Sequence, residues 1–393
     1  MSDNHEKSNQ DLLVQYQHTA SAGIDDAVCL PFATYTDPGV YALEKDAIFR
    51  NEWVFICTEQ ELSATGDYFA FELVGEKLAI LRGKDKSLRA LSNICRHRGT
   101  PLLNDGFGNL STSIVCPYHG WAYDDEGSLK AAPMTGNITV DKERHCLPQF
   151  ALESWHGLLF INLADDPSSF AERMQGIDDY LVNFDLSTFT YAHQGEVEYW
   201  ESNWKLAIEN AMESYHLFKV HKNTLEPVTP TKNAYYLAGS SEWTITGGEL
   251  VDNSNKFMKF LRGNYPEAYK HCLIISLPPS FVGVLTYDSF SWIQVLPLDA
   301  GHSRIRSGAI SPYKPGYEDK KSAQLTADFF AEDKAICERV HSGMSGTLSQ
   351  GGKLVELERV VVDFHQFLAS RLFDSPVDDF FFTSMSDLFT KGS

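Results

Sequence analysis

Two groups of residues in this chain have the types and spacing to hold metals. The first is Cys95-Arg96-His97-Arg98-Gly99, followed by Cys116-Pro117-Tyr118-His119-Gly120-Trp121. Its ligand pattern is Cys-x-His, an 18-residue gap, then Cys-x2-His. Two thiolates and two imidazoles suit a soft or borderline metal centre, and Gly and Pro permit tight wrapping of the loops around it. A structural zinc site is one reading. Zinc ligands usually pair as Cys-x2–4-Cys or His-x3–5-His knuckles, however, and neither loop has that form. A [2Fe–2S] cluster with two Cys on one iron and two His on the other fits better, and imidazole ligation would raise its potential well above that of an all-Cys cluster. Tyr118 and Trp121 are expected to cover the loops.

The second group lies in Asn203-Trp204-Lys205-Leu206-Ala207-Ile208-Glu209-Asn210-Ala211-Met212-Glu213-Ser214-Tyr215-His216, continuing to His221. On a helix, Glu213 and His216 would share a face. His221 lies five residues beyond His216, a rotation of about 140° on an unbroken helix, so both reach one metal only if the helix ends or distorts between them. Two His beside Glu209, Asn210 and Glu213 favour a site over a lone core histidine.

These groups need scaffolds. From Asn51 to about Phe160, the segments Trp53–Thr58, Tyr68–Leu73, Lys77–Arg82 and Gly157–Asn162 read as strands, punctuated by turns at Gly66-Asp67, Gly83-Lys84-Asp85 and Asp125-Glu126-Gly127. That is the pattern of a small all-β domain. Helical patterns follow at Ser168–Asn183 and Asn203–Val220. Strand-like runs return at Cys272–Leu277, Phe281–Leu285, Phe290–Leu296 and Ser303–Ile310, and a charged helix spans about Lys320–Gly343. The fold class is α+β. The expected division is an N-terminal segment 1–50 packing on the second domain, a cluster domain 51–165 and a catalytic domain 166–393.

Composition narrows the function classes. A net charge of −20 repels nucleic acid and anionic membranes. No run approaches the roughly 18 apolar residues of a membrane helix. The polar N-terminus lacks the form of a secretory signal, and residues 1 to about 20 read as a mobile tail or surface helix. Seven irregularly spaced Cys fit free thiols with metal ligands among them, and the cytoplasm as location.

The two loops resemble the Rieske motif, and the chain from about Thr36 to Gly343 resembles the α subunit of a Rieske non-haem iron oxygenase. The resemblance implies an all-β Rieske [2Fe–2S] domain, then a catalytic domain with an antiparallel sheet flanked by helices, of the helix-grip (START-like) kind. It places Cys95 and Cys116 on the inner iron and His97 and His119 on the outer one. It makes His216 and His221 ligands of a mononuclear Fe(II), with Glu213 as a carboxylate bridging the two iron centres. The third ligand it implies is Asp333, in Phe330-Ala331-Glu332-Asp333-Lys334-Ala335-Ile336-Cys337-Glu338-Arg339; Glu332 and Asp363 are the competitors. Glu rather than Asp at position 213 looks more like the quaternary-ammonium branch (choline, betaine and carnitine oxygenases).

The family's electron path crosses between subunits of a head-to-tail homotrimer, so Glu213 is expected to link His216 to His119 of the next chain. O2 is the expected co-substrate. Electrons from NAD(P)H are expected through a separate flavin/iron–sulfur reductase, with or without a ferredoxin. The substrate reading is a betaine-like or choline-like amine held by aromatic residues through cation–π attraction. Trp292, Tyr287 and Phe290 are the candidates, with Phe281, Tyr235 and Tyr236; Lys259, Arg262 and Arg306 are available for a carboxylate. The rival readings are an aromatic-acid or ring-hydroxylating or demethylating oxygenase, and a Rieske electron carrier with a non-catalytic second domain.

Overall fold

The computed structural model of the chain describes residues 2–111, 113–251, 267–316 and 320–375. It divides into two compact units, Phe49–Ser168 and Met1–Ile48 with Ser169–Ser393. The N-terminal residues are α1 (Ser2–Ala20), α2 (Ala33–Thr36) and α3 (Pro38–Glu44). Far from a mobile tail, α1 has Tyr16 and Ala20 fully buried.

Among the described residues the smaller unit has ten strands: β1 (Val54–Thr58), β2 (Asp67–Leu73), β3 (Glu76–Arg82), β4 (Leu88–Ser92), β5 (Gly106–Asn109), β6 (Ile114–Val115), β7 (Ala122–Tyr123), β8 (Leu129–Ala131), β9 (Gln149–Trp155) and β10 (Leu158–Asn162). Seven of them form an antiparallel sheet in the order β1-β10-β9-β4-β3-β2-β5, and β6-β7-β8 form a small second sheet. Two-residue turns close two of the hairpins. Val74-Gly75 and His156-Gly157 both adopt positive φ, which matches the right-handed twist of the flanking strands. The first metal-type loop follows β4 and the second joins β6 to β7.

The larger unit carries α4 (Phe170–Arg173), β11 (Tyr191–Trp200), α5 (Trp204–Met212), α6 (Leu217–Val220), β12 (Ala234–Gly239), β13 (Thr244–Glu249), β14 (His271–Leu277), β15 (Phe281–Leu285), β16 (Phe290–Pro297), β17 (Ser303–Ser311), α7 (Lys320–Met344) and α8 (Arg359–Phe373). Its antiparallel sheet runs β11-β17-β16-β15-β14-β13-β12. Pairing fixes which side chains share a face, because paired residues lie on the same side and neighbours along a strand alternate. Thr246, Ile274, Val284, Ser291 and Ala309 form one row. The Thr246 hydroxyl donates to the Met212 carbonyl at 3.5 Å, so this face looks toward α5. The opposite row is Ile245, Ile275, Gly283, Trp292 and Gly308. Residues 170–189 cover it: Trp243 Nε1 donates to the Gln175 carbonyl, and Phe170, Ile177, Leu181 and Phe184 are buried. The helix expected over Ser168–Asn183 is broken: α4 ends at Arg173, Gly176 turns with φ +85°, outside the helical region, and only a 3₁₀ turn at Asp178–Tyr180 follows.

A buried polar knot fixes α5. Lys205 Nζ donates to Glu44 Oε1 at 2.6 Å and to the Thr34 carbonyl at 3.0 Å. Trp204 Nε1 and the Tyr16 hydroxyl donate to the same carboxylate at 2.8 and 3.0 Å. One turn on, Glu209 accepts from Tyr35 at 2.8 Å and pairs with His365 of α8 at 3.0 Å. The segment before the β unit is therefore an integral part of the larger unit.

Two stability predictions follow from these buried charges. The Lys205 and Glu44 side chains are both 0% exposed. Lys205→Met leaves the Glu44 carboxylate buried without its counter-charge, a change that typically costs about 3–5 kcal/mol; a fall in the denaturant midpoint of unfolding is the expected readout. Asp363 of α8 is also buried, and one of its oxygens has no hydrogen-bond partner among the described residues. Burial pushes its carboxyl up to about 7, with Tyr236 and Arg359 pulling the other way; an unfolded Asp titrates near ~3.9. Between those values the folded chain holds the extra proton, so this group's contribution to stability declines as pH rises through the window and is level above it. Asp363→Asn should raise the unfolding temperature at pH 8 and leave it nearly unchanged near pH 4.

Candidate active site

The first ligand group is split by depth. Cys95 and Cys116 are 2% and 3% exposed and belong to a core of Leu81, Leu91, Ile114, Tyr123, Leu129 and Leu147. His97 and His119 are exposed, with ring centroids 4.6 Å apart. Each loop closes on itself: Gly99 N donates to the Cys95 carbonyl at 3.0 Å and Gly120 N to the Cys116 carbonyl at 3.1 Å. Both glycines adopt positive φ, +78° and +70°, which a side chain would strain. Trp121 stacks on His97 at 4.7 Å and Tyr118 lies against His119 at 3.7 Å. Burial would push the Cys116 thiol up, but the backbone N–H groups of Tyr118 and His119 outweigh it and lower the thiol. Burial and the neighbouring His97 and Arg98 lower His119, favouring a neutral, ligating imidazole. Two buried sulfurs and two outward imidazoles fit a [2Fe–2S] cluster with one inner and one outer iron.

The second group forms at a break in the helix. Asn203 starts α5 by accepting from Lys205 N at 3.0 Å. The helix stops at Met212, and Glu213 is extended, with φ −112° and ψ 163°. Glu213 and His216 therefore do not share a helical face, as the spacing suggests. They meet across the turn, where the Glu213 carboxylate accepts from Tyr215 N and His216 N and approaches His216 Nδ1 at 2.5 Å. A new turn, α6, then carries the chain to His221. The Nε2 atoms of both imidazoles face Asp333 Oδ1 of α7, at 3.5 Å for His216 and 2.9 Å for His221. One ligand atom from each of the three residues lies within 4.8 Å of the others.

The electrostatics favour positive charge at their centre. Burial alone would lower His216, but hydrogen bonds with Asp333 and Glu213 lift it to about 9. His221 is raised by Asp333 and Glu332 in the same way, against burial. Asp333 is lowered despite burial by the two imidazoles. Two neutral-capable imidazoles and a carboxylate converging on one point fit a single divalent iron with positions left open.

Of the alternative carboxylates, Glu332 lies on the far side of His221, 2.8 Å from Nδ1. Asp363 sits near Tyr236 and Arg359 instead, and is no part of this cluster. Strand parity assigns the aromatic substrate candidates to faces of the sheet. Phe281, Phe290 and Trp292 are at most 2% exposed and lie on the sheet face away from α5. Their rings cross neighbouring glycines: a Cβ on Gly308 would meet Trp292 at 2.4 Å, and one on Gly283 would meet Phe290 at 2.5 Å. Arg306 is on that face too, 5.1 Å from the Trp292 ring. Tyr235 also faces that way and approaches His271 at 3.0 Å. Tyr287 is 42% exposed in the β15–β16 turn, beside Tyr269. Only Tyr236 of the candidates points to the helix side, through its pairing with Thr246. Lys259 and Arg262 lie outside the described residues.

The side chains that share the face toward α5 include Thr246, Ile274, Val284, Ser291 and Ile293, and Val284 is 38% exposed. The alternation in Phe290–Pro297 marks Ser291 and Ile293 as opposite to Trp292, but both faces of this sheet are covered, so pattern alone does not say which meets the helices.

Comparison with known proteins agrees with this geometry. Residues 52–151 match the Rieske [2Fe-2S] domain and residues 187–373 the ring hydroxylating alpha subunit catalytic domain. A carnitine monooxygenase oxygenase subunit from Acinetobacter baumannii is 31% identical over 366 residues, covering 88% of this chain and 93% of the relative. A glycine betaine monooxygenase oxygenase subunit from Chromohalobacter salexigens is 34% identical over 196 residues, 50% of this chain and 44% of the relative's length. Among solved structures, a quaternary ammonium Rieske monooxygenase superposes with a TM-score of 0.77 at 22% identity, over 91% of this chain and 97% of that one. Naphthalene 1,2-dioxygenase from Rhodococcus sp. gives 0.73 at 18% identity, over 92% and 99%; these structural likenesses speak to the fold. The chain belongs to the Rieske non-haem iron oxygenases, enzymes that carry a Rieske [2Fe–2S] cluster and a mononuclear iron.

Proposed function

We propose that this chain is the terminal oxygenase that hydroxylates a small quaternary ammonium compound, of the betaine, choline or carnitine kind, at a carbon next to nitrogen. The observation that carries the oxygenase chemistry is the convergence of His216, His221 and Asp333 at the break after α5. The amine class is supported by the relatives named for carnitine and glycine betaine. When bound, the cluster stores an electron and the mononuclear iron activates O2, with the electrons drawn from NAD(P)H through a separate reductase. A basic docking face on that reductase would complement the −20 charge of this chain.

The chain's own residues hold and orient. Cys95, Cys116, His97 and His119 are the cluster ligands, and His216, His221 and Asp333 the iron ligands. Glu213 fixes the His216 ring by engaging Nδ1, which leaves Nε2 for the metal. Its carboxylate has further lone pairs with which to accept from His119 of a neighbouring copy in a homotrimer. Exposed Tyr215 and Phe218 beside it offer apolar surface for that contact. The substrate lies against the helix-side sheet row of Thr246, Ile274, Val284 and Ile293. Phe329, edge-on to His221 at 6.2 Å, offers an aromatic surface for an ammonium group in place of the buried Trp292. Hydroxylation of an N-methyl group gives a carbinolamine, which collapses to formaldehyde and the demethylated amine.

The test is a single turnover. Protein with both iron centres loaded is reduced, mixed with O2 and offered betaines, choline, carnitine and aromatic acids, with products read by mass spectrometry and formaldehyde assay. Formaldehyde or an oxidised amine from a quaternary ammonium compound is expected; product from an aromatic acid alone would overturn the substrate class. In a separate steady-state assay with reductant supplied continuously, Glu213→Ala with both iron centres verified as loaded should lose product formation. Parental turnover in that variant would remove Glu213 from the electron path.

A further inference from the structure

Each imidazole of the iron site is held from two sides. His216 presents Nε2 to Asp333 and Nδ1 to Glu213, at 3.5 and 2.5 Å. His221 presents Nε2 to Asp333 and Nδ1 to Glu332, at 2.9 and 2.8 Å. The His221 side chain is 1% exposed, so water is not at hand to satisfy Nδ1. The same Glu332 oxygen accepts from the Thr224 hydroxyl at 2.6 Å. Thr224 is itself set by a turn in which its N–H donates to the His221 carbonyl at 3.1 Å. Consecutive residues of α7, Glu332 and Asp333, thus grip one ring at its opposite nitrogens.

A metal is bound through the lone pair of one ring nitrogen, so these two carboxylates have different tasks. Asp333 lies on the side shared with His216 Nε2 and belongs to the metal. Glu332 lies on the other side, where it accepts Nδ1–H. We infer that Glu332, steadied by Thr224, is the positioning residue for His221: it fixes the tautomer with a free Nε2 lone pair, orients the ring and raises its basicity toward iron. This rests on the reading of His216, His221 and Asp333 as iron ligands. Glu213 engages Nδ1 of the other imidazole, His216, whereas Glu332 engages His221, and the loss of Glu332 should appear in iron binding before any question of electron transfer.

The experiment measures Fe(II) affinity of the full-length, cluster-loaded protein after the mononuclear site is stripped and titrated against a competing chelator. Carboxylates in this position typically contribute 10–100-fold in metal affinity. Glu332→Ala should weaken Fe(II) binding by about that factor and leave the cluster's visible absorption unchanged. Glu332→Gln, whose amide oxygen still accepts Nδ1–H, should recover most of the loss, and Thr224→Val should show a smaller defect than Glu332→Ala. Asp333→Ala serves as the ligand control and should abolish binding. Parental affinity in Glu332→Ala beside a dead Asp333→Ala would overturn the positioning role. So would a Gln variant as defective as Ala, since that behaviour belongs to a charged ligand and not to a hydrogen-bond acceptor. Parental affinity in Asp333→Ala would instead sink the ligand reading on which the inference rests.

Discussion

An unbroken α-helix cannot deliver His216 and His221 to one ion, and the larger unit is organised around that geometric constraint. The helix must end, and the groups that end it must also be tolerated inside a packed fold. Glu213 meets both needs: its carboxylate takes the backbone N–H groups freed at the start of the next turn and the Nδ1 of His216. The residue that breaks the helix is therefore also the residue that aims the first imidazole. After the break, the short α6 resets the chain direction, and α7 supplies the two adjacent carboxylates that hold the second imidazole.

A break is useful only if the helix before it is immobile. Nine residues of α5 would be marginal alone, and buried polar contacts along the helix help to place it. Lys205 and Trp204 bind the Glu44 carboxylate, and Glu209 receives Tyr35 and His365. These contacts draw on residues near the start of the chain and on α8 near its end. Buried ion pairs of this kind are weak sources of net stability, because desolvation offsets much of the attraction. Their value here is directional: a charged group with several fixed partners allows few alternative positions for the helix that carries it.

This division explains what could be read from the sequence. The candidate cluster ligands stand out, because Cys-x-His and Cys-x2-His loops are local patterns with few physical uses. Strand-like runs, such as Phe281–Leu285 and Phe290–Leu296, were equally legible. The contributions of α1 and α8 were not. Tyr16, Tyr35 and His365 lie far along the chain from the residues they hold, and nothing in their neighbours marks them. The sheet face taken by the aromatic strand residues was illegible for a related reason. Alternation shows that Trp292 and Ser291 lie on opposite faces, but which face meets the helices depends on where residues 170–189 run. Gly176 decides that path by ending a helix early, and a lone glycine in a helical pattern is a weak signal.

The two metal-type sites also differ in how their surroundings suit their tasks. In the β unit the sulfurs are buried and the imidazoles stand at the surface, with aromatic rings and no carboxylate among the contacts of His97 and His119 described above. With no acidic partner among the described residues, these exposed imidazoles can hydrogen-bond to a group outside the chain. In the α+β unit the order is reversed: both imidazoles are enclosed, and a glutamate occupies each Nδ1. Carboxylate pairing fixes ring orientation and strengthens the ligands, which suits a centre that must hold its iron while leaving positions open. The asymmetry between the two glutamates then has a physical sense. Glu332 takes its second contact from the side chain of Thr224, whereas Glu213 takes its from backbone N–H groups of a turn that carries exposed Tyr215 and Phe218.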